Sequence, residues 1–275
     1  MPSDFLEQDR AARYARFEYD LAPASLNDKV ILAPGGSGGL GAATVALLAR
    51  EGAQVVVGYS RNRARAESLA AALNGRGSRQ VVCVAGDLRR AEARQRLLET
   101  ATKLTGEVYG FVSFLGDPAR VPLEQLDESA LQDSLAANYV VPLLLARDVG
   151  AYMQVRGTAG SLVLLSTMQA VAPFEGSVNY AGAKAALQHA ARVLARQWSS
   201  LRVNVVAPGV MQAGMALASI EKGKYDSFVR EGLIPRFGRP EDVARVVRLL
   251  LEPDNYLTGQ VITVDGGLTL RRGLR

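Results

Sequence analysis

Residues 29–52, KVILAPGGSGGLGAATVALLAREG, carry an apolar run into five glycines within eight residues, then into a helical repeat that stops on Gly52. A strand apolar at nearly every position has no face to offer water. It belongs in a parallel sheet covered on both sides and built from strand–helix–strand crossovers. The rest of the chain repeats the pattern. Apolar runs stand at QVVVGY (54–59), QVVCVAGD (80–87), VYGFVSFLG (108–116), SLVLLST (161–167), RVNVVAP (202–208) and QVITVDGG (260–267). Helical patterns fill 63–74, a long stretch from Leu123 to Met153, 179–198 and 241–252. These predict one α/β domain with right-handed crossovers, and 275 residues suffice for its core.

Two segments stand apart. Residues 211–239 interrupt the alternation after a strand's C-terminal end, where a substrate lid is expected. Residues 1–28 form an N-terminal extension whose YARFEYDL stretch is amphipathic, suited to packing on the domain or a neighbouring subunit. Residues 271–275 are a short basic tail. MPSDFLEQDR lacks the apolar stretch of a signal peptide and no run reaches a membrane span, so a cytoplasmic location is expected.

Composition excludes several chemistries. Cys83 is the only cysteine and His189 the only histidine, which leaves no basis for an internal disulfide, a zinc cluster or a serine–histidine triad. Cys83, inside VVCVAG, reads as a small buried hydrophobe. The net charge of +5 comes from arginines scattered along the chain without interleaved aromatics, which argues against nucleic acid as a partner.

The glycine loop spells both Gly36-x-Gly38-x-x-Gly41 and Gly35-x-x-x-Gly39-x-Gly41. In either spacing, residues without a Cβ let the backbone approach a pyrophosphate at a helix N-terminus. An acidic residue ending the second strand would grip a ribose hydroxyl. Tyr59 stands there instead, followed by Ser60, Arg61, Asn62 and Arg63. Arginine suits a 2′-phosphate, so NADP(H) is favoured over NAD(H). Asp87 serves equally as an adenine contact or as a helix N-cap.

In VNYAGAK (178–184), Tyr180 and Lys184 are four residues apart and share a helix face. Nine tyrosines and five lysines in 275 residues give about 0.16 such pairs by chance. A free phenol is a poor acid at neutral pH, and a neighbouring ammonium is expected to lower its pKa enough to protonate a carbonyl oxygen as hydride reaches the carbon.

With GGSGGLG, SVNYAGAK, VNVVAPG and RFGRPEDVARVV…LTGQVITVDGG in place, the chain from about Lys29 to Leu270 resembles the short-chain dehydrogenase/reductase family, and within it the 3-oxoacyl carrier-protein reductase and sugar dehydrogenase subgroups. The resemblance implies a Rossmann-type, doubly wound sheet of seven strands, a nicotinamide cofactor, a carbonyl or acyl substrate, and a homo-oligomer, tetramer or dimer. It implies Tyr180 as catalytic acid/base, Lys184 as its partner on the nicotinamide ribose, and Thr167 where the family has a serine. Strand alternation aims the adjacent Ser166 at the opposite face. Asn138 matches the family's helix asparagine, and Pro142, having no N–H, frees its carbonyl to hold a relay water. By the same resemblance Gly35, Ser37, Gly39, Leu40, Gly41, Ser60, Arg61, Asn62, Asp87, Leu88, Leu115, Gly116, Pro208, Gly209 and Val210 join Tyr180 and Lys184 around the cofactor; no residue is assigned to a metal.

Three positions depart from the family. Pro34 replaces a threonine, SFLG (113–116) replaces NNAG, and Ala213 replaces a threonine after the proline–glycine pair. They keep open two alternatives to an NADPH-dependent carbonyl reductase: a nucleotide-binding regulator with vestigial chemistry, and an NAD(H) dehydrogenase. Lys222 and Lys224 in the lid suit an acidic carrier or coenzyme A phosphate, or simply water.

Overall fold

A computed structural model describes residues 26–74 and 81–271, with Met215 as backbone only. The extension up to residue 25, with its amphipathic stretch, and residues 272–275 of the tail lie outside the described residues. Seven strands form one parallel sheet: β1 Lys29–Pro34, β2 Gln54–Tyr59, β3 Val81–Ala85, β4 Glu107–Ser113, β5 Ser161–Leu165, β6 Arg202–Pro208 and β7 Val261–Val264. Their order is β3-β2-β1-β4-β5-β6-β7. The order reverses between β1 and β4, so a crevice opens beyond their C-terminal ends, where ligands of doubly wound sheets bind.

The continuous apolar runs are explained by two cores, one per face. Val30 and Leu32 of β1, Leu162 and Leu164 of β5, and Val203 and Val205 of β6 face one side. There they pack on α3 (Ala91–Thr102), α5 (Val141–Arg156) and α6 (Val178–Gln197) through Leu97, Leu145, Val149 and Leu187. Ile31, Ala33, Val163 and Val206 face the other side, against α1 (Gly39–Arg50), α2 (Arg63–Asn74) and α9 (Pro240–Leu251). Each fully buried Leu or Val stabilises the fold by about 1.5–3 kcal/mol relative to exposure, so strands with two apolar faces cannot stay at a surface.

The long helix expected from Leu123 to Met153 is instead broken. A 3₁₀ turn covers Leu123–Gln125, then Asp127 caps α4 (Glu128–Leu135), its carboxylate accepting the Ala130 N–H at 2.8 Å. Ala136–Val140 form a π turn that leads into α5. Pro142 cannot donate to the carbonyl four residues back, so the ladder loses a bond there and widens. α5 ends on left-handed Gly157.

After β6, residues 211–239 hold two short helices, α7 (Leu217–Glu221) and α8 (Asp226–Arg230). They pack over a third cluster of Met168, Val210, Ile234 and Leu268, the last from α10 (Leu268–Arg271). Cys83 is only partly buried, its Sγ 3.2 Å from the Ala66 carbonyl. Among the described residues no helix is long and apolar enough to cross a membrane, and no cluster of three or more His, Cys, Asp or Glu is placed to hold a metal ion.

Candidate active site

The loop leaving β1 tightens at Gly41, where an added Cβ would stand 2.6 Å from the Gly36 Cα. α1 therefore starts immediately above the strand. Gly38 caps it without a side chain, and the first-turn N–H groups have no partners inside the helix. At Gly39 the missing side chain admits the backbone of Gly214, which would lie 2.6 Å from a Cβ, so the segment after β6 closes over one end of the crevice. Ser37 is buried, and Leu40 accepts from the Thr44 hydroxyl through its carbonyl. This cradle of bare backbone fits a dinucleotide pyrophosphate.

At the end of β2, Ser60, Arg61 and Asn62 are all exposed. Asn62 has a structural task, accepting the Arg65 N–H at 3.0 Å as the cap of α2. Arg63 pairs with Glu67, whereas Arg61 makes no ion pair among the described residues. Beyond β3, Asp87 does not cap α3, whose N-cap is Arg90. Its carboxylate takes the Arg89 N–H and guanidinium, which hold its pKa below the usual carboxylate range, and it lines a cavity of about 280 Å³ beside buried Leu88.

The departures from the family also have places. Pro34 gives its carbonyl to the Phe114 N–H at 3.0 Å. The Ser113 hydroxyl is buried without a partner among the described residues. Ala213 sits against Gly39. Pro208 ends β6; Gly209 packs against Asp265 with no room for a Cβ, and buried Val210 joins the lid cluster.

Four elements bring the candidate catalytic groups together. Tyr180 and Lys184 lie buried on α6. Thr167, just past β5, has its hydroxyl close enough to the Tyr180 phenol to act on its pKa, and accepts the Gln169 N–H at 3.3 Å. Ser166 points elsewhere, taking a hydrogen from Gln188 at 2.9 Å. Lys184 donates to the carbonyls of Leu115, 2.9 Å, and Leu165, 2.8 Å. An ammonium has three hydrogens, so one remains for a ligand or water. Gly116 passes between Asn138 and Lys184: a Cβ there would be 2.8 Å from Asn138 Oδ1 and 3.1 Å from Lys184 Nζ. Asn138, fully buried, holds the backbone of Asp117.

The electrostatics differ from the sequence expectation. Burial raises the Tyr180 phenol above its usual value of 10, opposed by the Thr167 hydrogen bond and the charge of Arg120. Burial also lowers Lys184 to about 7, so near neutrality it is only partly an ammonium. The expected depression of the phenol by its lysine is absent here, because both groups lie in a low-dielectric interior that penalises either charge. Tyr180 therefore keeps its proton at neutral pH.

Sequence reasoning missed three residues. Asn179 donates to the Ala119 carbonyl at 2.7 Å, Ser134 donates to the Asn179 carbonyl, and Arg120 lies within electrostatic reach of Tyr180. Asn179 stood inside VNYAGAK, but only the tertiary contacts reveal its task. Beside α8, Gln212, Asp226, Arg230 and Phe237 help line a cavity of about 410 Å³. Lys222 and Lys224 are exposed.

The chain is similar to known proteins over most of its length. The family described as "Enoyl-(Acyl carrier protein) reductase" matches residues 35–269. Dehydrogenase/reductase SDR family member 4 of Homo sapiens is 33% identical over 253 residues, 90% of this chain and 89% of that protein. The 7alpha-hydroxysteroid dehydrogenase of Bacteroides fragilis is 29% identical over 88% of this chain and 95% of that protein. A short-chain type dehydrogenase/reductase from Mycobacterium ulcerans superposes with a TM-score of 0.83 at 28% identity, covering 90% of this chain and 92% of that one. The chain belongs to the short-chain dehydrogenase/reductase family of oxidoreductases.

Proposed function

We propose that the protein interconverts a carbonyl compound and its secondary alcohol with NADP(H), in preference to NAD(H), through Tyr180. One observation carries the reading: Tyr180 and Lys184 are buried one helical turn apart on α6, Lys184 donates to the carbonyls of Leu115 after β4 and Leu165 at the end of β5, and Thr167 follows β5 by two residues. When bound, the coenzyme supplies or accepts the hydride. Tyr180 gives its proton to the substrate oxygen, and Thr167 orients that oxygen through its hydroxyl. Lys184 offers its remaining N–H to the nicotinamide ribose. Asn138, within the π turn, holds a water that returns a proton toward Lys184 and Tyr180.

Gly35, Ser37, Gly39, Leu40 and Gly41 take the pyrophosphate, Ser60, Arg61 and Asn62 the 2′-phosphate, and Asp87 and Leu88 the adenine. Leu115, Gly116, Pro208, Gly209 and Val210 flank the nicotinamide. Residues 29–270 form the catalytic domain and 211–239 its lid. The exposed Leu131 and Leu135 of α4, Val140 of the π turn and Val178 of α6 support a homo-oligomer. The named activities of relatives, dehydrogenase/reductase and hydroxysteroid dehydrogenase, agree with chemistry at a secondary alcohol.

The test is NADPH oxidation against a ketone panel with Tyr180→Phe. Turnover is expected to fall by about 10²–10⁴. NADPH affinity should stay within about threefold. A phenylalanine variant that turns over normally refutes the assignment.

A further inference from the structure

The segment Gly116–Arg120, GDPAR, leaves β4 and passes the proton donor. Its polar groups are consumed internally. Asn138 takes the Asp117 N–H and bonds its carbonyl, the Asp117 carboxylate accepts the Ala119 N–H at 3.0 Å, and Asn179 bonds the Ala119 carbonyl. Both bracing amides are buried, at 0% and 4% exposure, so residues 117 and 119 are fixed from beneath. The next residue, Arg120, is exposed and makes no hydrogen bond or ion pair among the described residues. Its charge nonetheless acts on the Tyr180 phenol. A guanidinium on a loop braced by Asn179, the residue before Tyr180, has the two parallel donors that recognise a carboxylate. One arginine with Asp117 three residues away matches a single negative charge better than a phosphate dianion.

We propose that Arg120 selects substrates carrying a carboxylate near the reacting carbonyl, oxo acids over neutral ketones. The inference rests on Tyr180 being the proton donor. In the reduction, the carbonyl carbon gains a hydride from reduced nicotinamide, which leaves oxidised. The oxygen gains the Tyr180 proton, solvent restores that proton, and the carboxylate is held unchanged.

The probes are 3-oxobutanoate and 4-oxopentanoate with their methyl esters, tested on the wild type, Arg120→Gln and Arg120→Lys. The acid-to-ester ratio of kcat/KM should fall about 10–100-fold in Arg120→Gln, the range of one charge-assisted hydrogen bond, mainly through KM. Arg120→Lys should recover part of it. Independently of turnover, the acids should raise the melting temperature of the NADP⁺-loaded wild type more than the esters do, and the difference should vanish in Arg120→Gln. A ratio equal in all three proteins, an ester preference in the wild type, or no acid-specific stabilisation overturns the proposal. So does an equal loss for acid and ester, which marks a structural role. If Tyr180→Phe remained active, the proton-donor reading would fall while the thermal comparison still judged Arg120.

Discussion

Asn138 holds Asp117 by both backbone groups, giving an amide hydrogen to its carbonyl at 2.8 Å and taking its N–H at 3.0 Å. The same amide reaches the Ser134 carbonyl at 3.0 Å. One buried side chain thus ties the π turn to the loop after β4, on which the Leu115 carbonyl receives Lys184. Asn138→Ala strands these groups and should destabilise the fold by about 1–3 kcal/mol, read by urea denaturation. Asn138→Asp keeps the acceptor but loses the donor and should fall between the two. An alanine variant as stable as the wild type would show that the clasp carries no energy.

The buried lysine gives stability a signed pH dependence. Its folded pKa, about 7, lies below the unfolded value of 10.5. Between these values the unfolded chain binds the extra proton, so stability rises with pH across this window. Tyr180 acts oppositely: its raised folded pKa makes the unfolded state lose its proton first, so stability falls above pH 10. Relative to Lys184→Met, the wild type should gain melting temperature from pH 7 to pH 10. Parallel pH curves for the two proteins would exclude a neutralised lysine.

Arg61, exposed at the end of β2 and in no ion pair among the described residues, should decide between coenzymes. Replacing it with alanine is expected to weaken NADPH binding by about tenfold or more and leave NADH little changed, measured as Kd at two salt concentrations. Equal losses for both coenzymes would remove the phosphate from this position. Asn62→Ala acts differently: losing the α2 cap should cost about 0.5–2 kcal/mol of stability even without coenzyme.

Gly41→Ala places a methyl 2.6 Å from the Gly36 Cα, a backbone atom that cannot rotate away. Overpacking of this kind costs about 1–3 kcal/mol. Coenzyme affinity should fall as well, because the loop must open where it cradles the pyrophosphate. Calorimetric titration of the folded variant with NADPH checks this, and unchanged affinity would place the pyrophosphate elsewhere.

Much of the fold was legible because its code is local. Val30–Ala33, Val55–Val57 and Leu162–Leu165 are apolar at every position, and only a sheet covered on both faces buries both sets of side chains. Tyr180 and Lys184 were legible because helical spacing puts residues four apart on one face. The broken helix between Leu123 and Met153 was not, since Asp127 and Pro142 act through single hydrogen bonds that apolar periodicity does not register.

The sequence by itself determined the seven strands and their alternation with helices, the glycine loop and the tyrosine–lysine pair, all set by neighbours within a few residues. Only the tertiary structure decided the protonation of that pair, the clasp of Asn138 on Asp117 and the place of Arg120 beside Tyr180. Burial and long-range hydrogen bonds depend on which distant segments close around a side chain, and a low-dielectric interior, not sequence spacing, sets the cost of charge there.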